Sequence, residues 1–197
     1  MTRRPVVIVF VREVVAGRAK TRLGRDIGMT AAAWWQRHQV RWLLRRLRDP
    51  RWRMVLAVTP DGAVRSGTWP ADLPRLAQGQ GDLGQRMTRA IRAAGPGRAL
   101  LVGSDVPGLG RAEVAAALSR IGPARTVLCP ATDGGFWGVG FRNAAEAREV
   151  HMAGVRWSTR HAMADTALRL PGPVAEGPLL RDVDTAADLA LARDGAA

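Results

Sequence analysis

The residues of this 197-residue chain whose types and spacing could do chemistry are a few acids placed after apolar runs and one basic loop. Ala99, Leu100, Leu101 and Val102 form an unbroken apolar run that Gly103 and Pro107-Gly108 bring to an end. Asp105 therefore falls just past the carboxyl end of a buried strand, which is where open α/β sheets hold their ligands. Asp is also an ordinary turn residue and helix cap, so the position has a purely structural explanation as well. Asp133, followed by Gly134-Gly135, is a second acid beyond a strand end and an equally normal turn signal. Asp182 and Asp184 are separated by one residue in an extended segment, so their carboxylates point the same way and are able to share a cation. Capping of the helix that follows accounts for one of these two acids but not both.

The basic loop runs from Arg12 to Gly24 and contains Gly17, Arg18, Lys20, Thr21 and Arg22. A glycine lets backbone amides approach a ligand, and several cations offset phosphate charge, so the loop suits a nucleoside triphosphate. It lacks the Walker spacing, and a solvated basic turn explains it about as well. The chain holds 29 arginines and one lysine, so Lys20 is the single place where an ammonium stands instead of a guanidinium. A further glycine-rich stretch, Gln78 to Met87, contains Gly81, Asp82 and Gly84 at the entry to a helix. Backbone amides there are able to face an anion or a base, while capping alone explains Asp82.

The elements that must position these residues alternate between strand and helix. Pro5–Val11 and Arg53–Thr59 read as buried strands on their β-branched content, with a helix over 29–48 between them that Thr30 is placed to cap. This β-α-β order implies a parallel pair with a right-handed crossover. Residues 61–77 carry Pro70, Pro74 and two glycines without periodicity and read as an irregular excursion. A helix to about Ala94, the strand 99–102, a helix over 111–121 and a strand over 126–130 follow, and Phe136–Phe141 reads as a hairpin-like return. A helix capped by Ser158 or Thr159, an extended segment 174–180 and a terminal helix 186–193 complete the chain. Trp34, Trp35 and Trp42 resemble a stacking surface, but their helical spacing favours packing.

Composition narrows the function classes. The length fits one domain spanning 1–197 with a substantial core. No apolar run approaches the roughly 20 residues of a bilayer span, and the first apolar run reads as a strand and not a signal peptide. The single Cys129 rules out an intrachain disulfide framework and suits a reducing, cytoplasmic setting. Cys129 and the scattered His38, His151 and His161 do not make a zinc pattern. A net charge of +13 raises nucleic acid as a partner, but the charge is spread along the chain with no basic tail or finger motif, so that partner is not expected.

Six stretches, in order, carry a family resemblance: Gly17-x-x-Lys20-Thr21-Arg22-Leu23, Gln80-Gly-Asp-Leu-Gly-x-Arg86-Met87, Gly103-Ser-Asp105-x-Pro107-x-Leu109, Pro130-Ala-x-Asp133-Gly-Gly-Phe-Trp-x-x-Gly140, Trp157-Ser158-Thr159, and Asp182-x-Asp184-Thr185-x-x-Asp188-Leu189. Together they resemble the DUF2064 family, a branch of the GT-A-type nucleotidyltransferase and glycosyltransferase superfamily that includes phospholactate and molybdenum cofactor guanylyltransferases. The resemblance implies an α/β fold, a three-layer αβα sandwich with a mostly parallel, twisted sheet of the nucleotide-diphospho-sugar transferase type. It implies Asp105 and Asp184 as ligands of Mg²⁺ or Mn²⁺, and Lys20 and Arg22 as the groups holding triphosphate oxygens. It further places Gly17 and Thr21 in the nucleotide loop, Gly81, Asp82 and Gly84 near base or ribose, and Asp133 at the acceptor pocket.

The implied activity is metal-dependent transfer of a nucleotidyl group from a nucleoside triphosphate to a small phosphorylated or carboxylated acceptor. Glycosyl transfer from a nucleotide sugar is the alternative, with an Arg-rich nucleic-acid binder and a catalytically idle nucleotide-binding protein as lesser ones; the acceptor, the base and the oligomeric state, a homodimer included, stay open. One departure stands out: relatives usually show Lys-x-Pro-x-Pro-Gly where this chain has Arg12-Glu13-Val14-Val15-Ala16-Gly17, so two prolines are gone and an acid is added. Trp137 stands where tyrosine is usual, in a chain with no tyrosine.

Overall fold

A computed structural model describes residues 3–15, 20–183 and 185–194. Gly17 and Asp184 lie outside the described residues. The first apolar run forms strand β1 (Val6–Arg12), followed by helices α1 (Thr21–Ile27) and α2 (Met29–Arg46) and strand β2 (Arg53–Thr59). Strand β3 (Arg75–Ala77), helix α3 (Leu83–Ala93) and strand β4 (Ala99–Val102) come next. Helix α4 (Arg111–Arg120) leads to β5 (Thr126–Pro130) and β6 (Phe136–Phe141). The chain continues through α5 (Ala162–Ala167), β7 (Val174–Glu176) and α6 (Ala186–Asp194).

The strands make one sheet in the order β3-β2-β1-β4-β6-β5-β7. β1 runs parallel to both β2 and β4, β2 to β3 and β5 to β7, whereas β6 is antiparallel to its neighbours β4 and β5. The hairpin-like return thus pairs with β5 as expected and also inserts between β5 and β4. Alternation along β1 divides the core: Val7, Val9 and Val11 pack with Leu43 and Leu44 of α2, Leu47 just after it, and Val114 and Leu118 of α4, while Val6 and Ile8 pack with Met87, Ala90 and Ile91 of α3. Apolar residues on both faces of a strand require cover on both faces, and the helices supply it in two layers.

Register opens the site. β2 accompanies β1 to its end, with Arg12 opposite Thr59, but β4 stops at Val102 opposite Val9. The last three residues of β1, Phe10, Val11 and Arg12, therefore have no β4 partner and leave a crevice on that side. Successive connections from β1 leave toward β2 on one side and β4 on the other, the arrangement in which open α/β sheets form ligand crevices.

Several expectations give way. The basic loop is not irregular throughout: Thr21–Ile27 is helical, and Gly28, at φ 92°, separates α1 from α2, so Gly28 and not Thr30 sits at the start of α2. A positive φ is open to glycine without steric cost, which is why the break falls there. The excursion 61–77 contains a short 3₁₀ turn at Asp61–Arg65 and ends in β3. Helix α5 starts after His161, with Ser158 and Thr159 in the turns before it. Trp34 and Trp42 are 62% and 52% exposed, so helical spacing placed only Trp35 of the three against the protein. Thr185 does cap α6: its hydroxyl accepts the Asp188 amide at 3.2 Å while the Asp188 carboxylate accepts the Thr185 amide at 2.9 Å. No helix among the described residues is long and apolar enough to cross a membrane.

Candidate active site

A cavity of about 570 Å³ lies over the carboxyl ends of β1, β2 and β4. Its walls bring together four cations, Arg12, Lys20, Arg22 and Arg86, and three carboxylates, Asp105, Asp133 and Asp182. Phe10, Phe136 and Trp157 add aromatic surface. Separate stretches of sequence thus meet at one point because every parallel strand delivers its following loop to the same edge of the sheet.

The tightest polar cluster joins the basic loop to the strand-end acid. Lys20 Nζ donates to Asp105 Oδ2 at 2.9 Å and to the Val183 carbonyl at 2.7 Å. The Lys20 side chain is 10% exposed and that of Asp105 39%, so the ammonium is enclosed while the carboxylate still faces the cavity. Asp105 is positioned from two sides: Gly103 extends the β4 pairing by donating to the Trp137 carbonyl at 2.8 Å, and the Val183 amide donates to the Asp105 carbonyl at 3.2 Å. This last bond fixes the segment carrying Asp182 beside the end of β4. Lys20 has φ 50°, ψ 48°, and Ser158, also on the cavity wall, has φ 59°; they are the two non-glycine residues with positive φ among those described. Such conformations cost about 1–3 kcal/mol each and persist where surroundings over-determine them, commonly around ligand sites.

The opposite wall is built on Gln78, a residue for which sequence reasoning assigned no role. Its amide nitrogen donates to the Val11 and Ala57 carbonyls at 3.1 and 2.9 Å, tying β1 to β2 at the crevice. Its Oε1 accepts from the Arg86 guanidinium, which also lies over the Phe10 ring at 5.6 Å. Burial, with Arg12 nearby, lowers the Arg86 pKa, so this cation is held where an anion or an acceptor-rich group would relieve its desolvation. The signal for Arg86 was its offset: Leu83, Arg86 and Met87 form one face of α3 and line the cavity.

Other singled-out positions do structural work. Asp82 caps α3, accepting from the Gln85 amide at 2.8 Å, while Gln85 Oε1 accepts from the Asp82 amide at 3.0 Å. Gly81, at φ 107°, shapes the turn before it. A Cβ on Gly84 would lie 2.7 Å from the Met152 carbonyl and 2.9 Å from Trp157, so glycine allows α3 to pack closely there. None of Gly81, Asp82 and Gly84 lines the cavity, and Thr21 is an exposed first residue of α1. Asp133 lines the cavity and accepts from the Gly135 amide at 2.8 Å, combining a turn with a cavity position. Burial pushes the Cys129 thiol up to about 12, which keeps it protonated and inert as a nucleophile.

The groups that hold Lys20 Nζ are both oxygens, the Asp105 carboxylate and the Val183 carbonyl, and Asp182 lines the same cavity. Hard oxygen donors suit Mg²⁺ or Mn²⁺, and the enclosed ammonium shows that the spot already holds a positive charge. Among the described residues no three His, Cys, Asp or Glu side chains converge on one point. A cation there fits the Mg²⁺ pattern of one or two carboxylates completed by substrate oxygens.

Comparison with solved structures places the fold. A candidate nucleotide-diphospho-sugar transferase from Desulfovibrio desulfuricans G20 is 29% identical, with TM-score 0.81 over 96% of this chain and 85% of that one. The 4-diphosphocytidyl-2C-methyl-D-erythritol synthase of Anaerococcus prevotii DSM 20548 shares the fold at 8% identity and TM-score 0.58, over 97% of each chain. Rv0371c of Mycobacterium tuberculosis H37Rv, solved as a complex with manganese, shares it at 18% identity and TM-score 0.51, over 98% of this chain and 100% of that one. No curated protein matches the sequence. The profile of DUF2064, described as an uncharacterized protein conserved in bacteria, matches residues 43–159, more than half of the chain and all of the strand-end motifs from Gln80 to Thr159, and the chain belongs to that family.

Proposed function

We propose that this protein is a metal-dependent nucleotidyltransferase that moves a nucleotidyl group from a nucleoside triphosphate to a small phosphorylated or carboxylated acceptor. The observation that carries this reading is the meeting of Lys20, Arg22 and Asp105 in one cavity at the strand ends. Asp105 would hold the divalent cation, with Asp184 as the second carboxylate implied by the family resemblance. When bound, that cation supplies charge neutralisation on the phosphate oxygens. Lys20 and Arg22 bind the same oxygens and stabilise charge on the departing pyrophosphate as the acceptor oxygen bonds to the α-phosphorus. Arg86, held by Gln78 and set over Phe10, faces the base end of the nucleotide, and Asp133 borders the acceptor. Positioning does most of the work in such transfers, which suits a site made of rigid strand ends and fixed charges.

A second reading, transfer of a sugar from a nucleotide sugar, is favoured by the name borne by the Desulfovibrio relative. The two differ in what leaves: pyrophosphate from a triphosphate, or a nucleotide from a nucleotide sugar.

The test is ligand-induced stabilisation of the wild type and Asp105→Asn. A triphosphate with Mn²⁺ at about 100 times its Kd stabilises by about 2.7 kcal/mol, which for a chain of this size raises Tm by roughly 5–10 °C. Asp105→Asn is expected to lose most of that rise; an equal rise in the variant overturns the assignment. A rise with nucleotide sugars alone selects the second reading.

A further inference from the structure

The role given to Lys20 above and the place it occupies are in conflict. A group that holds triphosphate oxygens has to face them, yet its ammonium is turned to Asp105 and the Val183 carbonyl at 2.9 and 2.7 Å, and its side chain is 10% exposed. Those two oxygens belong to one unit, because the Val183 amide donates to the Asp105 carbonyl. That bond holds the backbone of the two residues together and brings the Asp105 carboxylate within reach of the Val183 carbonyl. The ammonium sits among hard oxygen donors as a metal ion would.

Residue type supports the same conclusion. The chain uses arginine at 29 of its 30 basic positions and lysine only here. An ammonium is a compact point charge with rotatable donors on a flexible stem, so it imitates a small cation and is able to swing away; a planar guanidinium fork does neither as well. Lys20 is held at φ 50°, a left-handed conformation that side-chain-bearing residues seldom adopt, so the backbone too is set to deliver the ammonium to this spot. Two cations do not share one carboxylate at contact distance without strong mutual repulsion.

We propose that Lys20 is the resident cation of Asp105 in the ligand-free protein, and that a divalent ion enters by displacing it. The inference rests on the reading of Asp105 as the metal and nucleotide site. Its consequence is ordered uptake: free metal binds weakly, because it has to break the Lys20 contacts to Asp105 and Val183. Metal with a triphosphate binds well, because the phosphate oxygens become the ammonium's new partners. The site therefore takes up the charge-balanced pair of metal and nucleotide in preference to either alone.

The experiment measures Mn²⁺ binding by electron paramagnetic resonance in the wild type, Lys20→Met and Asp105→Asn, without nucleotide and with a non-hydrolysable triphosphate analogue. Without nucleotide, Lys20→Met is expected to bind Mn²⁺ at least about tenfold more tightly than the wild type, equivalent to about 1.4 kcal/mol. With the analogue that advantage disappears, since the wild-type ammonium has then moved to the phosphates. If Lys20→Met binds no more tightly while Asp105→Asn loses Mn²⁺, displacement is wrong and the metal site stands. If Asp105→Asn binds as the wild type does, the site itself is misassigned and the inference falls with it. A second measurement needs no variant: Lys20 is the one lysine, so its acetylation by acetic anhydride is read directly by peptide mass. Saturating Mn²⁺ alone is expected to speed acetylation several-fold by releasing the ammonium, and an unchanged or slower rate overturns displacement.

Discussion

Histidine 151 shows how one residue couples to solution conditions. Its ring lies against Phe141, with centroids 5.9 Å apart, and its Nδ1 accepts from the Arg148 amide at 3.2 Å. Burial, then Arg148 and Arg125, lower its pKa below the ordinary 6.5. The folded protein therefore keeps the neutral ring, and the unfolded chain takes up the proton first as pH falls. Stability from this residue is complete above about pH 6.5 and declines below it, toward the lowered folded-state value. Urea unfolding at pH 7.5 and pH 5.5 (about two pH units apart) is expected to show a loss in the wild type that is smaller in His151→Gln. Equal losses in the two would remove His151 as a cause.

At the scale of elements, the tryptophans separate packing from display. Trp69 is buried and donates to the Ala63 carbonyl at 2.9 Å, holding the excursion before β3, and Trp52 donates to the Leu47 carbonyl at 2.9 Å where α2 turns into β2. Trp34 and Trp42 lie on the outer face of α2, one against His38 and the other under Arg46. Trp69→Ala is expected to cost about 3–5 kcal/mol and Trp34→Ala or Trp42→Ala no more than about 0.5, measured by urea unfolding followed by circular dichroism. β6 carries a similar constraint, because a Cβ on Gly140 would lie 2.7 Å from Ile121 Cδ1 and 2.8 Å from Val127 Cγ1. Gly140→Ala in this packed strand is expected to cost about 1–3 kcal/mol through overpacking.

For the whole molecule, the net charge of +13 and the specific site make separable contributions to anion binding. Diffuse charge attracts any polyanion and is screened by salt, whereas the cavity asks for a carboxylate-held cation and a triphosphate. A short oligonucleotide neutralising two charges is expected to lose about tenfold in affinity between about 50 and about 200 mM salt. That binding should be the same in Asp105→Asn, while Mn²⁺-triphosphate binding is lost. Loss of both together would move the oligonucleotide into the cavity.

The order of strands and helices was legible in the residues, because β1, β4 and β5 are apolar runs that need cover on both faces and α3 shows its period and its cap at Asp82. Asp105 was legible for the same reason: a strand that stops abruptly on an acid marks its own end. Sequence could not say that β4 stops three residues short of β1, since register depends on partners far apart in the chain. That difference in length is what opens the cavity. Nor could it give Gln78 and Arg86, whose roles come from bonds to strand ends and a helix face brought together only by folding. Composition singled out Lys20 as the one ammonium, and the family resemblance implied that it binds phosphate. The tertiary structure decided that its ammonium rests on Asp105, because Val183, remote in sequence, supplies the second oxygen that holds it there.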